Sequence, residues 1–276
     1  MSSFREVQLT GYEILNAVVD LCEKHNITYY LGWGTLLGAI RHEGFIPWDD
    51  DIDIEMPVED YRRFLRIARK ELPEDLFLQT YFTDSGYNEM WAKVRKNDTA
   101  SIPLIWKDLD IHWGIGIDIF PMVGVYQNVL LRKLQMKMYA ICRMLIGKDM
   151  LVAMKSNELA NPKLRMFYLL PRACRIAFCR VLEQFVFKGT KGSDSITSAC
   201  MSVNNIVEKK SLGNGKLKRF ESREFRIPDD YHSILEKRYG DYMTPPPESE
   251  RNGHEGSLGK IICDCEKSYK EYTGRC

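Results

Sequence analysis

The chain has 276 residues, 45% of them hydrophobic, with a formal net charge of +1. That is enough apolar material for one large core, or a core with an appended subdomain, and the charge balance gives no support for a nucleic-acid partner. Eight cysteines are scattered along it; the one close pair, Cys263-x-Cys265, lacks the spacing of a zinc or redox motif. With no apolar leader in the sequence, a reduced, cytoplasmic setting is the expectation. No stretch approaches the ~18 uninterrupted apolar residues of a membrane-spanning helix.

In chain order, residues 4–25 predict an amphipathic helix with Val7, Leu9, Ile14, Leu15, Val18 and Leu21 on its apolar side. Thr28 to Leu31 then predicts a core strand, and Leu36 to His42 a short helix. Between them, Gly32, Gly34 and Gly38 surround Thr35. Glycines let backbone N–H groups approach an anion, and a helix start favours negative charge, so this turn could cradle phosphate. Close helix–strand packing would explain the glycines equally well.

Residues 45–57 carry the densest chemistry. Asp49, Asp50, Asp51 and Asp53 fall within five positions, and Asp51, Asp53 and Glu55 alternate with Ile52, Ile54 and Met56. A period of two predicts a strand whose acids share one face while the apolar residues enter a core. Pro57 ends it. Adjacent carboxylates on a half-buried strand need a compensating positive charge. All-oxygen ligands at this spacing suit magnesium or manganese. A solvated acidic turn is the alternative, made less attractive by Phe45 and Trp48 beside the acids. The pattern does not match a calcium loop.

Further on, residues 58–72 predict a helix stopped by Pro73, and Leu76 to Tyr81 a strand. Trp91 to Lys96 alternates so that Lys93 and Arg95 share one face, where they could bind phosphate oxygens or lie on a solvated edge. Gly114 to Phe120 predicts another strand, with Asp118 between Ile117 and Ile119; an acid there needs a partner, whether a metal or a turn it caps. Residues 126–190 predict basic amphipathic helices rich in Leu, Met and Phe. Such helices can rest on an anionic bilayer or pack on the core with their cations in solvent. Ser193 to Lys209 predicts another helix, and so does Tyr231 to Tyr239, ahead of the stiff Pro245-Pro246-Pro247 run. Trp33, Trp48, Trp113, Tyr231, Tyr239 and Tyr242 are candidates for an aromatic pocket, which would suit a quaternary ammonium such as choline.

The run from Gly34 to Met56, G-T-L-L-G-A-I-R-H-E-G-F-I-P-W-D-D-D-I-D-I-E-M, resembles the signature of the LicD family. These are phosphocholine transferases and relatives, including fukutin-related proteins, in the nucleotidyltransferase superfamily. Similarity recurs at Gly116 to Pro121 and at Tyr239 to Met243. The resemblance implies an α+β fold with a nucleotidyltransferase-like mixed β-sheet flanked by helices. Residues 1–125 would be the core, 126–210 an inserted, membrane-lying helical region, and 211–276 a C-terminal element closing the active site. It implies that Asp51, Asp53 and Asp118 hold Mg2+ or Mn2+ and carry catalysis. Gly34, Thr35, Arg41, Lys93 and Arg95 would bind nucleotide and phosphate, with Asp49, Asp50 and His42 in support. Trp48, Tyr231, Tyr242, Arg251 and His254 would line a substrate pocket. The implied donor is CDP-choline or a related CDP-alcohol, and the acceptor a lipid-linked glycan or teichoic-acid precursor at the inner face of the membrane. A ribitol- or glycerol-phosphate transferase, an NTP-using nucleotidyltransferase and an inactive glycan-assembly scaffold are the alternatives.

Overall fold

The computed structural model describes residues 2–147, 169–188, 192–198, 205–251 and 260–274. Helix α1 (Phe4–Lys24) opens on a reciprocal cap: the Ser3 hydroxyl accepts from the Glu6 amide, and the Glu6 carboxylate accepts from the Ser3 amide. Then come β1 (Tyr30–Leu31), α2 (Trp33–Arg41), β2 (Asp53–Pro57), α3 (Val58–Glu71), β3 (Leu76–Gln79), β4 (Ala92–Lys96), β5 (Ala100–Pro103) and β6 (Gly116–Gly124). The helices α4 (Val129–Ile146) and α5 (Arg172–Lys188) follow, then β7 (Ser195–Thr197), β8 (Val207–Glu208), β9 (Lys216–Phe220) and β10 (Arg223–Ile227). Helix α6 (Tyr231–Tyr239), β11 (Ile261–Asp264) and α7 (Tyr269–Thr273) complete it.

One mixed sheet runs β1-β2-β6-β4-β3, and β7 and β8 extend it from the far end of β6. Strands β2 and β6 are parallel and the other pairings are antiparallel. This is the expected α+β, nucleotidyltransferase-like architecture. The alternation in residues 51–56 places Ile52, Ile54 and Met56 in the main core with Ile117 and Ile119, while α1 covers them with Ile14, Leu15 and Val18. That burial fixes the register of β2, because a slip of one residue would drive Asp53 into the apolar layer.

The segment 193–209 departs from the predicted helix. Its described residues form β7 and β8, paired Ser195↔Glu208 and Ile196↔Val207. Ser195-Ile196-Thr197 alternates with a period of two, and β7 lies against Val123 and Gly124, so β6 runs further than the sequence suggested. Helices α4 and α5 are seated on the domain through a second core containing Tyr81, Tyr87, Trp113, Cys142, Leu145 and Cys179. Buried Gln135 donates to the carbonyls of Gly124 and Val186, tying α4 to β6 and α5. Among the described residues no helix is long and apolar enough to cross a membrane.

Candidate active site

Asp53 begins β2, and its register partner on the parallel strand β6 is Asp118. Directly opposed residues on neighbouring strands share a face. Asp51, just before β2, joins them: one carboxylate oxygen from each of Asp51, Asp53 and Asp118 lies within 4.8 Å of the others. Asp53 is buried; loss of hydration, then Asp51, Asp118 and Asp49, raise its carboxyl well above the ordinary range, with Lys93 acting the other way. Three oxygen donors converging at this separation, one of them destabilised as an anion, fit a hard divalent cation.

The glycine turn positions this cluster. The Asp53 amide donates to the buried Thr35 hydroxyl at 2.8 Å, so α2 and β2 are tied at the first residue of the strand. Thr35, expected to contact phosphate, here fixes the Asp53 backbone at the start of β2. A Cβ at Gly34 would sit 2.5 Å from Asp49 Oδ2, which explains the glycine: it lets the acidic loop approach the start of α2. Gly32 caps α2 without a side-chain hydrogen bond. The first amides of a helix have no intrahelical acceptor and favour an anion.

Lys93 and Arg95 do lie on one face of β4, but they do different things. The Lys93 ammonium contacts both Asp118 oxygens, at 2.6 and 2.7 Å, and the Trp91 indole N–H donates to Asp118 Oδ1 at 3.0 Å. Arg95 is buried and donates to Gln79 and to the Gly114 carbonyl, with its guanidinium 5.8 Å from the Trp113 ring. That placement makes Arg95 a brace inside the domain, on the wall of the cavity that Asp118 borders.

Arg41 and His42, expected near phosphate, lie together with Trp48, Tyr242 and Arg251, expected in a substrate pocket. Arg41 donates to the Tyr242 carbonyl at 2.9 Å, and the Arg41 and Arg251 guanidiniums lie 6.0 and 4.8 Å from the Trp48 ring. Burial, then the charge of Arg251, lowers the Arg41 pKa; burial, then Arg41, lowers that of His42. Two mutually repelling arginines beside a tryptophan favour an anion. Tyr231 instead lies beneath the Lys216 ammonium, at 5.7 Å. His254 lies outside the described residues. Asp50 and Asp51 border a cavity together with Asp118 and Lys93.

Two features were not read from the sequence. Glu55, on the Asp53 face of β2, forms a buried ion pair with Arg238 at 2.8 Å, and Arg238 stacks 4.2 Å from the Trp33 ring. Trp33 opens α2 with φ +44°, a strained conformation held by these neighbours. Glu55 stood out as the third acid of the alternation; Arg238, on α6, has no local signal. Trp91 was the more legible of the missed residues, since it precedes Lys93 by two positions on one strand face.

A model of the LicD/FKTN/FKRP nucleotidyltransferase domain matches residues 26–139. The lipopolysaccharide cholinephosphotransferase LicD of Haemophilus influenzae is 30% identical over 270 residues, covering 91% of this chain and 96% of that protein. The ribitol 5-phosphate transferases FKRP of Mus musculus and Homo sapiens are each 44% identical over 48 residues, which is 17% of this chain and 10% of theirs. The match to the Haemophilus protein runs nearly end to end in both chains, and the family domain contains Asp51, Asp53 and Asp118: this chain belongs to the LicD family.

Proposed function

We propose that the chain is a metal-dependent phosphotransferase that moves phosphocholine, or a related alcohol phosphate, from a CDP-linked donor to a hydroxyl of a surface glycan or teichoic-acid precursor. The observation that carries the reading is the convergence of one carboxylate oxygen each from Asp51, Asp53 and Asp118 within 4.8 Å, at the start of the neighbouring strands β2 and β6. Those three residues would hold Mg2+ or Mn2+, which would supply electrophilic activation of the diphosphate and neutralise its charge. The amides at the start of α2 and the Arg41–Arg251 pair favour the donor's phosphate oxygens. Asp118 accepts the proton of the attacking hydroxyl, and Lys93, touching both its oxygens, holds that carboxylate in place. Asp49 packs against Gly34 and shapes the acidic loop. In this reading residues 1–125 carry the chemistry and 211–276 close the site through Arg238, Tyr242 and Arg251. Residues 126–210 present Val129, Leu130, Leu131 and Leu134, exposed on α4, to the inner face of the membrane.

The names of the relatives favour phosphotransfer to a glycan: one acts with phosphocholine, two with ribitol 5-phosphate. The test is incubation with Mg2+ and, separately, CDP-choline, CDP-ribitol, CDP-glycerol and nucleoside triphosphates, with a lipid-linked glycan fraction as acceptor. CMP release supports the proposal. Pyrophosphate release would make the chain a nucleotidyltransferase, and no turnover would leave a scaffold.

A further inference from the structure

Glu55 follows Asp53 by two residues on β2, so the two acids point to the same side of the sheet. Arg238, near the end of α6, meets Glu55 across 183 residues of sequence. The pair is 2.8 Å apart, and the arginine and glutamate side chains are only 3% and 2% exposed. Burying two charges costs hydration that apolar residues of the same size would not lose, so stability alone does not account for the pair.

The guanidinium makes a second contact. It lies 4.2 Å over the ring of Trp33, the first residue of α2. Trp33 has φ +44°, a left-handed value that a tryptophan keeps only when its surroundings impose it. Among the described residues its buried indole N–H has no hydrogen-bond partner. Packing therefore holds the ring, against Arg238 and, with centroids 6.3 Å apart, Phe120. The preceding residue is constrained as well: a Cβ at Gly32 would come within 2.7 Å of Glu55 Cγ. Three elements meet here, β2 through Glu55, the start of α2 through Gly32 and Trp33, and α6 through Arg238.

This junction governs Asp53. The Asp53 carbonyl accepts from the Gly32 amide at 2.9 Å, and its amide donates to the Thr35 hydroxyl at 2.8 Å. Both backbone groups of Asp53 are thus fixed by residues that flank Trp33. Relaxing Trp33 to a negative φ would turn Gly32 and Thr35 relative to each other. Asp53 would then lose one bond or the other, and its carboxylate would no longer face Asp51 and Asp118.

We infer that Arg238 is a positioning residue for the cation site: from α6 it holds Trp33 in its strained conformation and, through Gly32 and Thr35, aims the Asp53 carboxylate at Asp51 and Asp118. The inference rests on the metal site proposed for the transfer reaction and goes beyond it by coupling the C-terminal element to cation affinity. The full chain is titrated with Mn2+, followed by loss of the free-ion electron paramagnetic resonance signal. Hydrogen exchange of the Gly32 and Asp53 amides is measured separately in EDTA. Arg238→Lys keeps a charge for Glu55 but removes the planar face over Trp33. It should weaken Mn2+ about tenfold, the usual cost of disturbing a group that orients a metal ligand, and speed exchange of both amides. Trp33→Ala loses the ring, still disfavours positive φ, and should behave alike. Trp33→Gly also loses the ring but adopts positive φ freely, so its Mn2+ affinity should stay within about threefold of the wild type. In the Trp33→Gly background Arg238→Lys should have no further effect, whereas a merely structural ion pair would cost the same in either background. Unchanged Mn2+ affinity and exchange in Arg238→Lys, equal losses in Trp33→Ala and Trp33→Gly, or the full Arg238→Lys loss in the Trp33→Gly background would overturn the inference. Amide exchange in the expected order without saturable Mn2+ binding would remove the metal reading and leave the positioning role. Mn2+ binding that Asp53→Asn abolishes and Arg238→Lys leaves unchanged would do the reverse.

Discussion

Lys93 and Asp118 are register partners on β4 and β6, and the Lys93 ammonium touches both oxygens of the Asp118 carboxylate. The lysine thereby supplies one positive charge to a cluster that otherwise holds three acids within 4.8 Å. Removing it in Lys93→Met should cost roughly 1–3 kcal/mol in EDTA, since the pair is largely shielded from water. Added Mg2+ should then raise the thermal midpoint more in the variant than in the wild type. Equal gains in both proteins would mean that Lys93 and the cation do not share a site.

Asp53 predicts the opposite sign. Its burial and the neighbouring acids disfavour its anion, so without metal the carboxylate is a liability. Asp53→Asn keeps the shape and removes the charge. In EDTA the variant should melt at or above the wild-type temperature, while transfer falls by about a thousandfold or more. Differential scanning fluorimetry with and without Mg2+, beside a CMP-release assay, checks both halves. Retained activity would refute the metal assignment.

The link between α2 and β2 has its own signature. Thr35→Val deletes the acceptor for the buried Asp53 amide and should cost about 1–3 kcal/mol, whereas Thr35→Ser should cost far less. Gly34→Ala should be worse for activity than for folding, because its Cβ meets Asp49 Oδ2 at 2.5 Å and must push that carboxylate aside. Urea titrations and activity assays on the three variants separate these outcomes.

Glu89 gives a pH dependence. Its folded value of about 7 lies above the ordinary 4.5, driven by burial and then by Asp118, with Arg143 and Lys93 opposing. The folded chain holds this proton more tightly than the unfolded chain does. The resulting stability is complete below the unfolded value and is lost as pH rises through about 7. Between those limits the wild type should lose roughly 2–3 kcal/mol relative to Glu89→Gln, measured in EDTA. Parallel pH profiles for the two proteins would place Glu89 in solvent.

These expectations show where the sequence was informative. Asp51 and Asp53 were readable because a period-two apolar pattern fixes which face each acid takes, and β2 obeys it through Glu55. Asp118 was readable for the same reason on β6. Arg95 was not: the pattern placed it beside Lys93, but only the fold brings Gln79 and Gly114 to its guanidinium. The 193–209 segment failed because its strands are two and three residues long, too short for periodicity to outweigh helical propensity. Arg238 meets the site through its ion pair with Glu55, a contact distant in sequence that no local spacing encodes.

Helix α4 carries the last prediction. Its side toward the domain buries Gln135, Tyr139, Cys142 and Leu145, while Val129, Leu130, Leu131 and Leu134 near its start remain exposed, Leu130 at 75%. Arg132, Lys133 and Lys137 stand among them. Apolar residues flanked by cations suit an anionic interface, where each nearby cation contributes about 1 kcal/mol and salt screens it. The chain should therefore sediment with vesicles containing phosphatidylserine or phosphatidylglycerol, more strongly at low salt, and less with neutral phosphatidylcholine vesicles. Leu130→Glu with Leu131→Glu should abolish sedimentation and leave the thermal midpoint near that of the wild type, because neither side chain is buried. If the double variant sediments as well as the wild type, α4 is an ordinary solvated helix, and the acceptor must reach the carboxylates by diffusion from elsewhere.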